Sequence, residues 1–569
     1  MQILAQFFRR NSIVLTRPFR RKFSSAQEYL KSTFPDVQIP KLNIVEYVFQ
    51  NFERWPNNVA VECGLSGKKY TYDEVRLNSI YFGNALRKLL KLEKGDVVAI
   101  HLPNIPEYPI CALGILSSGL RITTINPAYT SAEIRRQILD SNAKLIITLN
   151  DGYRNCKDAT LSLKTTIPIV IVKDKNEDSI PNKCINFQEL IDYKFKTEEN
   201  IALDYDDVVH LPYSSGTTGM PKGVMLTNKN IVANIEQFHA PQIRFINECS
   251  GSDQDVVPCV LPMFHIFGFS LCMLALLQKG CKMVTLPKFT PNNFLNVLSN
   301  HKPHAMELVP PIVVFLNTHE GVKKDYFENL RTILCGAAPL GALDEEKFRK
   351  TVGKSLNVLQ GYGLTETSPS VISMPISQQG KYPGSIGHPL PNTALKIIKI
   401  DDQEGTHLGP NKVGELLIKG PQVMQGYFNK DEETKNAFLN GWFRSGDLAR
   451  YNEDGMLYIE DRIKELIKVK GFQVPPAELE EIIRDFPGVA EAAVIGVPNK
   501  YTGELPRAYV VTKPGHNVNI ATLEEFVNSK VTSYKKLAGG IALVNSIPKT
   551  ASGKILRREL KLLFEKDGI

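Results

Sequence analysis

Short runs of aliphatic and β-branched residues alternate with helix-patterned stretches through the first two-thirds of the chain. Residues 97–102 and 144–148 run on as apolar positions without strict alternation, as strands buried on both faces do. Between them, 107–117 and 131–141 carry apolar residues at helical spacing. Strand-like runs recur at 208–213, 283–286, 305–309, 332–334 and 357–359. Repeated strand–helix units predict an α/β architecture of open parallel sheets covered by helices. From about 384 to 460 the pattern changes to short strands (395–400, 414–419, 455–460) between Gly and Asp turns, predicting a compact, mostly β subdomain. After Asp461 a second α/β segment begins, with strands at 492–495 and 507–511 and helices at 476–486 and 520–529. The polar stretch 461–464 is the expected hinge between a large domain (40–460) and a small one (465–560).

One stretch fits neither pattern. From Val256 to Leu277 no side chain is charged, a length sufficient to cross a bilayer. Pro258, Pro262, His265 and Gly268 interrupt it and would leave backbone groups unsatisfied in lipid. It therefore reads as a strand ending near Leu261, a loop carrying His265, and a core helix from about Ser270. No transmembrane segment is expected; peripheral contact with a membrane is left open.

Composition narrows the class. The 569 residues are 43% hydrophobic and 22% charged, which excludes disordered and collagen-like chains. The net charge of +8 is concentrated at the start, where Arg9, Arg10, Arg17, Arg20, Arg21 and Lys22 all precede the first acid, Glu28. What remains is too little to argue for a nucleic-acid surface. The leading segment is Arg-rich, acid-free and hydroxyl-bearing, the composition of a mitochondrial transit peptide. Residues 1–23 are therefore expected to direct the protein to the matrix, with cleavage after Phe23. Cytoplasmic or peroxisomal residence is the alternative, although the ending Lys566-Asp567-Gly568-Ile569 is not of the Ser-Lys-Leu type. Nine cysteines without a Cys-x-x-Cys pair suggest neither a disulfide framework nor a zinc site.

Five segments carry candidate chemistry. Ser214-Ser215-Gly216-Thr217-Thr218-Gly219-Met220-Pro221-Lys222-Gly223 follows a strand, and its small residues let backbone N–H groups and hydroxyls converge on phosphate oxygens. It does not fit the Walker A spacing. In Gln360-Gly361-Tyr362-Gly363-Leu364-Thr365-Glu366-Thr367, glycines allow close approach to a planar ring. There Thr365 is a phosphate donor and Glu366 a hard oxygen ligand for Mg²⁺. Gly441-Trp442-Phe443-Arg444-Ser445-Gly446-Asp447, followed by Asp461-Arg462, presents a carboxylate suited to ribose hydroxyls. In the alternating run 466–472, Lys468 and Lys470 share one strand face while Ile467 and Val469 face a core. Last, Pro548-Lys549-Thr550-Ala551-Ser552-Gly553-Lys554 offers a lysine on a Gly-preceded turn before an amphipathic helix marked by Ile555, Leu556, Leu560 and Leu563.

In this order and spacing, the five segments resemble the adenylate-forming superfamily of acyl-CoA synthetases, 4-coumarate:CoA ligases and beetle luciferases, nearest to the 4-coumarate:CoA ligase-like group. The resemblance runs from about residue 40 to 560. It implies a large N-terminal domain of βαβ-type sheets with a small β-barrel subdomain, and a mobile C-terminal α/β lid. Ser214, Ser215, Gly216, Thr217, Thr218 and Lys222 match the phosphate loop, and Ala337, Gln360, Gly361 and Thr365 the adenylate contacts. Asp447 and Arg462 match the ribose contacts, Glu366 the magnesium ligand, and Lys464 the hinge. His265 and Phe267 fall in the acid pocket, Lys288, Lys470 and Gly471 on CoA contacts, Lys468 and Gln473 at the second-step site, and Lys554 on the adenylation lysine. The implied activity is ATP-dependent acid:CoA ligation. A fatty or aryl acid becomes an acyl-adenylate with release of pyrophosphate, and CoA then displaces AMP.

Two departures bear on the acid. Phe267 stands where the plant ligases carry a tyrosine, which argues against a hydroxycinnamate, and Leu417 replaces a cysteine, which suggests a more apolar pocket. A luciferase-type monooxygenase and a stand-alone adenylation enzyme loading a carrier protein are the alternatives of the same family. A catalytically dead binding protein conflicts with the full set of Lys222, Glu366, Asp447 and Lys554. Oligomeric state is not legible.

Overall fold

The computed structural model describes residues 28–567 except 162, 164, 165, 174, 176, 177, 197–200, 215–220, 401, 470, 471, 551 and 552. The expected presequence, 1–23, lies outside the described residues. Parallel strands Val97–His101, Arg121–Thr124, Ala143–Leu149 and Ile169–Val172 form the centre of a nine-stranded sheet. A second sheet pairs Ala305–Leu308, Thr332–Cys335 and Asn357–Gly363 in parallel, and a third does the same with Val256–Cys259, Lys282–Thr285 and Val59–Cys63. These strands are apolar on both faces because each sheet is covered on both.

The helices fall where caps and spacing put them. Thr71 and Thr130 each open a helix with a capping box, closed by Glu74 and Glu133 respectively. Helices Tyr72–Lys88 and Glu107–Ser117 approach through two glycines. A Cβ on Gly83 would lie 2.4 Å from the Gly114 carbonyl oxygen, so any side chain there would push the helices apart.

The mostly β segment contains antiparallel strands Ala394–Ile398, Gly414–Lys419, Trp442–Tyr451 and Leu457–Arg462. Among the described residues its hydrogen bonding follows an open path, not a closed ring. Beyond Arg462 a separate five-stranded sheet surrounds its own core, including Ile467, Val494, Val510 and Leu523. Among the described residues, no helix is long and apolar enough to cross a membrane.

Three expectations change. Residues 208–213 are not one strand: Val208–His210 ends before Pro212, which has no N–H for a ladder, and Tyr213–Ser214 follows as a separate short strand, both pairing antiparallel with Lys222–Thr227. The core helix begins at Phe267, and Phe267–Ala275 is a π-helix, a wide-turn form that clusters at functional sites. The final helix is Arg557–Asp567, so Ile555 and Leu556 precede it, and Leu563 is partly exposed where Leu560 is buried.

Candidate active site

The phosphate-loop segment hangs from a tight hairpin. Ser214 pairs with Lys222 and Tyr213 with Gly223 across antiparallel strands, so both ends of the loop are fixed together. Ser215, Gly216, Thr217 and Thr218 lie outside the described residues. The Ser214 hydroxyl donates to Glu366 Oε1 at 2.9 Å, and the Tyr427 hydroxyl donates to the same oxygen at 3.0 Å. Among the described residues, no hydrogen bond reaches Oε2. Lys222 Nζ stands 4.8 Å from the centroid of the Tyr427 ring, a cation–π contact at the root of the loop.

Opposite lies the planar-ring site. Strand Asn357–Gly363 carries Gln360, Gly361 and Tyr362 to its C-terminal end, beside the end of Thr332–Cys335. Ligands bind at that end of parallel sheets, where loops diverge. Gln360 accepts from the Leu340 N–H at 3.3 Å and donates to Glu345 at 3.2 Å, which pins the turn containing Ala337. Ala337 itself is left-handed, at φ 66°. Thr365 opens the next turn, Thr365–Thr367.

The buried carboxylate of Asp447 receives the Tyr362 hydroxyl at 2.5 Å and lies 3.4 Å from Arg462 Nε. Strand register puts Asp447 directly opposite Arg462. Burial raises the proton affinity of Asp447, while Arg462 and the Tyr362 hydroxyl pull it back.

The third wall belongs to the π-helix. Phe267 N–H donates to His265 Nδ1 at 3.3 Å, so the ring proton of a neutral imidazole sits on Nε2. Burial, with the charge of Lys554 adding to it, holds His265 down at about 4, hence neutral at pH 7. Gly268 permits the sharp entry: a Cβ there would lie 2.0 Å from the Pro262 carbonyl oxygen. The Phe267 ring packs over Gly336, where a Cβ would come within 3.1 Å of it. Leu417 is elsewhere. It is buried with Ile398 and Trp442 inside the β subdomain, so its replacement of a cysteine says nothing about the acid pocket.

Lys554 enters from the far side. Its turn is closed by Thr550 N–H donating to the Lys554 carbonyl at 2.8 Å, with Gly553 at φ +81°. A Cβ on Gly553 would approach Pro311 to 3.1 Å, so the tail of the small domain abuts the large domain at helix Pro310–Thr318. Burial lowers the Lys554 ammonium to about 8 and Arg462 adds to that, against the attraction of Glu465, Asp447 and Glu366.

Lys554, Asp447, Glu366, Arg462 and His265 thus share one cleft. Lys468 and Lys288 are exposed and stand outside this cluster, as does exposed Lys464 in the connecting turn Ile463–Glu465. Gln473 pairs opposite Lys468; Lys470, Gly471 and the Gln473 side chain lie outside the described residues.

Sequence reasoning missed the ion pairs beneath the hinge. Arg557 reaches Glu465 at 2.5 Å and Glu480 at 2.7 Å, all three side chains being largely buried. Asp461 Oδ2 accepts from Ala477 N–H at 3.0 Å at the start of helix Pro476–Arg484, fastening the last strand of the large domain to the lid. Only the charge pattern hinted at this. Arg557→Met is expected to leave buried Glu480 without its cation, and Glu465 with only Arg462 at 4.0 Å, and to destabilise the small domain by about 3–5 kcal/mol. Limited proteolysis and thermal unfolding would read that loss, with the large domain unaffected.

The AMP-binding enzyme family profile matches residues 48–428, and that of the AMP-binding enzyme C-terminal domain matches 478–554. The chain is 36% identical to 4-coumarate-CoA ligase 1 of Narcissus pseudonarcissus over 549 residues, covering 95% of this chain and 97% of that one. It is also 36% identical to 4-coumarate–CoA ligase 1 of Solanum tuberosum, over 93% and 96% of the two chains. Among solved structures, ATP-bound MatB from Rhodopseudomonas palustris superposes with a TM-score of 0.81 at 26% identity, over 92% of this chain and 99% of that one. The o-succinylbenzoate CoA synthetase of Bacillus subtilis with its acyl-adenylate intermediate superposes at 0.74, also with 26% identity, over 91% and 98%.

Proposed function

The chain belongs to the AMP-binding enzyme family and is an AMP-forming acid:CoA ligase, and from that premise we propose which groups carry each half-reaction. The acid's carboxylate attacks the α-phosphate of ATP. Lys554 meets the charge that builds on the phosphoryl oxygens, with Thr365 and the hydroxyls of residues 214–218 as donors. Lys222 supports the outer phosphates. The observation that carries this reading is the buried Lys554 ammonium, close enough to Arg462, Glu465, Asp447 and Glu366 to feel their charges and close enough to His265 for its own charge to help keep that imidazole neutral.

Asp447 accepts hydrogen bonds from the ribose hydroxyls, with Arg462 beside it, and Ala337, Gln360 and Gly361 border the adenine. Glu366 fits Mg²⁺: one oxygen is held by two hydroxyl donors, and such an ion takes most remaining ligands from phosphate and water. Bound there, it would offset phosphate charge.

After pyrophosphate leaves, the lid turns about Lys464, withdrawing Lys554 and presenting Lys468, Gln473, Lys470 and Gly471 to the thiol of CoA, with Lys288 at the entrance. The exposure of Lys468 and Lys288 in the present posture fits groups engaged only after that turn.

The acid has an apolar body, aryl or medium-chain. Phe267 packed over Gly336, at the head of an apolar π-helix, supports this. The relatives are named for 4-coumarate, so aryl acids head the test panel. ATP–pyrophosphate exchange across aryl and medium-chain acids should find a substrate whose adenylate is then passed to CoA. Exchange without thioester formation would overturn the assignment to CoA. A matrix location rests on the Arg-rich segment before Glu28, and the mature protein should begin at Ser24, as N-terminal sequencing after import would read.

A further inference from the structure

Three side chains from one sheet and its covering helix hold a loop that belongs to another sheet. His265 lies beyond strand Val256–Cys259 of the four-stranded sheet, whereas Val97–His101, Arg121–Thr124 and the hairpin that roots the phosphate loop belong to the nine-stranded one. Just past Val97–His101, buried Asn104 reaches across the boundary. Its amide nitrogen donates to the carbonyls of Cys259 and Leu261, both at 2.8 Å, and its oxygen accepts from the Met263 N–H at 2.8 Å. From helix Glu107–Ser117, the Tyr108 hydroxyl donates to the Met263 carbonyl at 3.0 Å. The Thr124 hydroxyl donates to the Phe264 carbonyl at 2.7 Å, with His210 Nε2 3.3 Å from the same hydroxyl oxygen.

Within the loop, His265 has little freedom of its own. Its N–H donates to the Pro262 carbonyl at 3.0 Å, its carbonyl accepts from the Phe269 N–H at 2.9 Å, and its Nδ1 is held by the Phe267 N–H. The imidazole therefore moves with the loop, and the loop is fixed by Asn104, Tyr108 and Thr124. Asn104 makes most of those bonds, using both the donor and the acceptor side of its amide. The reaction has a use for that stiffness. A near-attack geometry brings carboxylate and α-phosphate to about 3–3.5 Å, and a misplacement of about 1 Å can cost about 10²-fold in rate. In the proposed reaction the acid lies beside His265 and the phosphates beside the hairpin of Tyr213 and Lys222. These stand on different sheets, so the bonds between the sheets set the separation of the reactants.

We propose that Asn104 is a positioning residue for adenylation, seconded by Thr124, and that it registers the His265 loop against the sheet that carries the phosphate loop. The inference rests on the acid:CoA ligase reading and adds to it a residue that acts through His265, not on the acid itself. Removing the amide leaves the Cys259 and Leu261 carbonyls and the Met263 N–H buried without these partners. Buried polar groups left so are costly, and the loop shifts to satisfy them, taking the imidazole with it.

The test measures Asn104→Ala, Thr124→Val and Thr124→Ser, each with and without His265→Ala, in ATP–pyrophosphate exchange with benzoate and octanoate. Asn104→Ala should lower kcat/KM for the acid by about 10–100-fold and leave KM for ATP unchanged. Thr124→Val should show a smaller loss of the same kind, and Thr124→Ser should restore wild-type values. In the His265→Ala background the same changes should cost less than about 2-fold, because residues that act through one group are not additive. A full loss persisting there, or a matching rise in KM for ATP, would show a general structural role and overturn the proposal. Melting temperatures establish folding; should Asn104→Ala not fold, the nearly isosteric Thr124→Val carries the same comparison. A reading free of substrate comes from the nitrogen NMR spectrum of isotope-labelled histidines, with His265 assigned by the signals missing in His265→Ala. Wild type should show a neutral His265 ring protonated on Nε2, its Nδ1 accepting a hydrogen bond. Asn104→Ala should shift or broaden both signals, and Thr124→Ser should keep them. Unchanged His265 signals in Asn104→Ala would overturn the proposal whether or not an acid is activated. Failure of wild type to activate either acid, with the spectra changing as expected, would count against the proposed acid class and support the positioning of His265.

Discussion

Replacing Lys554 by alanine should lower ATP–pyrophosphate exchange by about 10²–10³-fold, the usual effect of deleting one preorganised donor to a developing oxyanion. Thioester formation from preformed acyl-adenylate should keep most of its rate, because that step is proposed to follow withdrawal of the lysine. Equal loss in both half-reactions would refute the division of labour. The ammonium also sets a pH signature. Burial lowers it from its ordinary value to about 8, so the free enzyme loses this charge as pH rises through that value. Adenylation kcat/KM, which reports the free enzyme, should therefore fall above about pH 8 in wild type. An arginine at the same position, charged throughout, should show no such decline in whatever activity it retains.

The second large effect is expected at Asp447. Asp447→Asn should raise KM for ATP by about 10–100-fold, since hydrogen bonds to a charged acceptor contribute about 1.5–3 kcal/mol each. Stability should move the other way. Burial raises the proton affinity of Asp447 in the folded protein, so its contribution is greatest at low pH and is lost as pH rises through the folded value. At neutral pH the ionised carboxylate is a burden on the fold, and the amide should leave the melting temperature unchanged or higher. Weakened ATP binding in a protein no less stable is the signature of a group kept for its ligand. A falling melting temperature together with unchanged KM would assign Asp447 to structure alone.

How far the sequence carried the reading depended on the physics of each element. Helices Glu107–Ser117 and Ser131–Ser141 were legible to the residue, the latter because Thr130 and Glu133 mark its start. The parallel strands were legible because burial on both faces leaves unbroken apolar runs. The π-helix was not, since a wholly apolar stretch has no period from which to read its pitch. Pro212 was visible, yet its effect, breaking one run into two short strands along the same partner Lys222–Thr227, depends on a hairpin that closes only in three dimensions.

Among the candidate site residues, Asp447, Glu366 and Lys554 were picked out by motif, and the fold brings them near one another. Tyr427 was missed because a lone tyrosine after a glycine has no pattern, and only the folded chain reveals that its hydroxyl shares Glu366 with Ser214. Leu417 shows the opposite error, a substitution read as a pocket change that is buried in a different core.

The Arg557 ion pairs have one more consequence. By gripping Glu465 in the connecting turn and Glu480 on the small domain's first helix, the arginine ties tail, helix and turn together, so that in the proposed rotation they swing as one lever. A lever with a working tip at each end can dip only one tip at a time. In the proposed mechanism the thiol is thus kept waiting until the lever has turned, and the order of the two half-reactions follows from its stiffness.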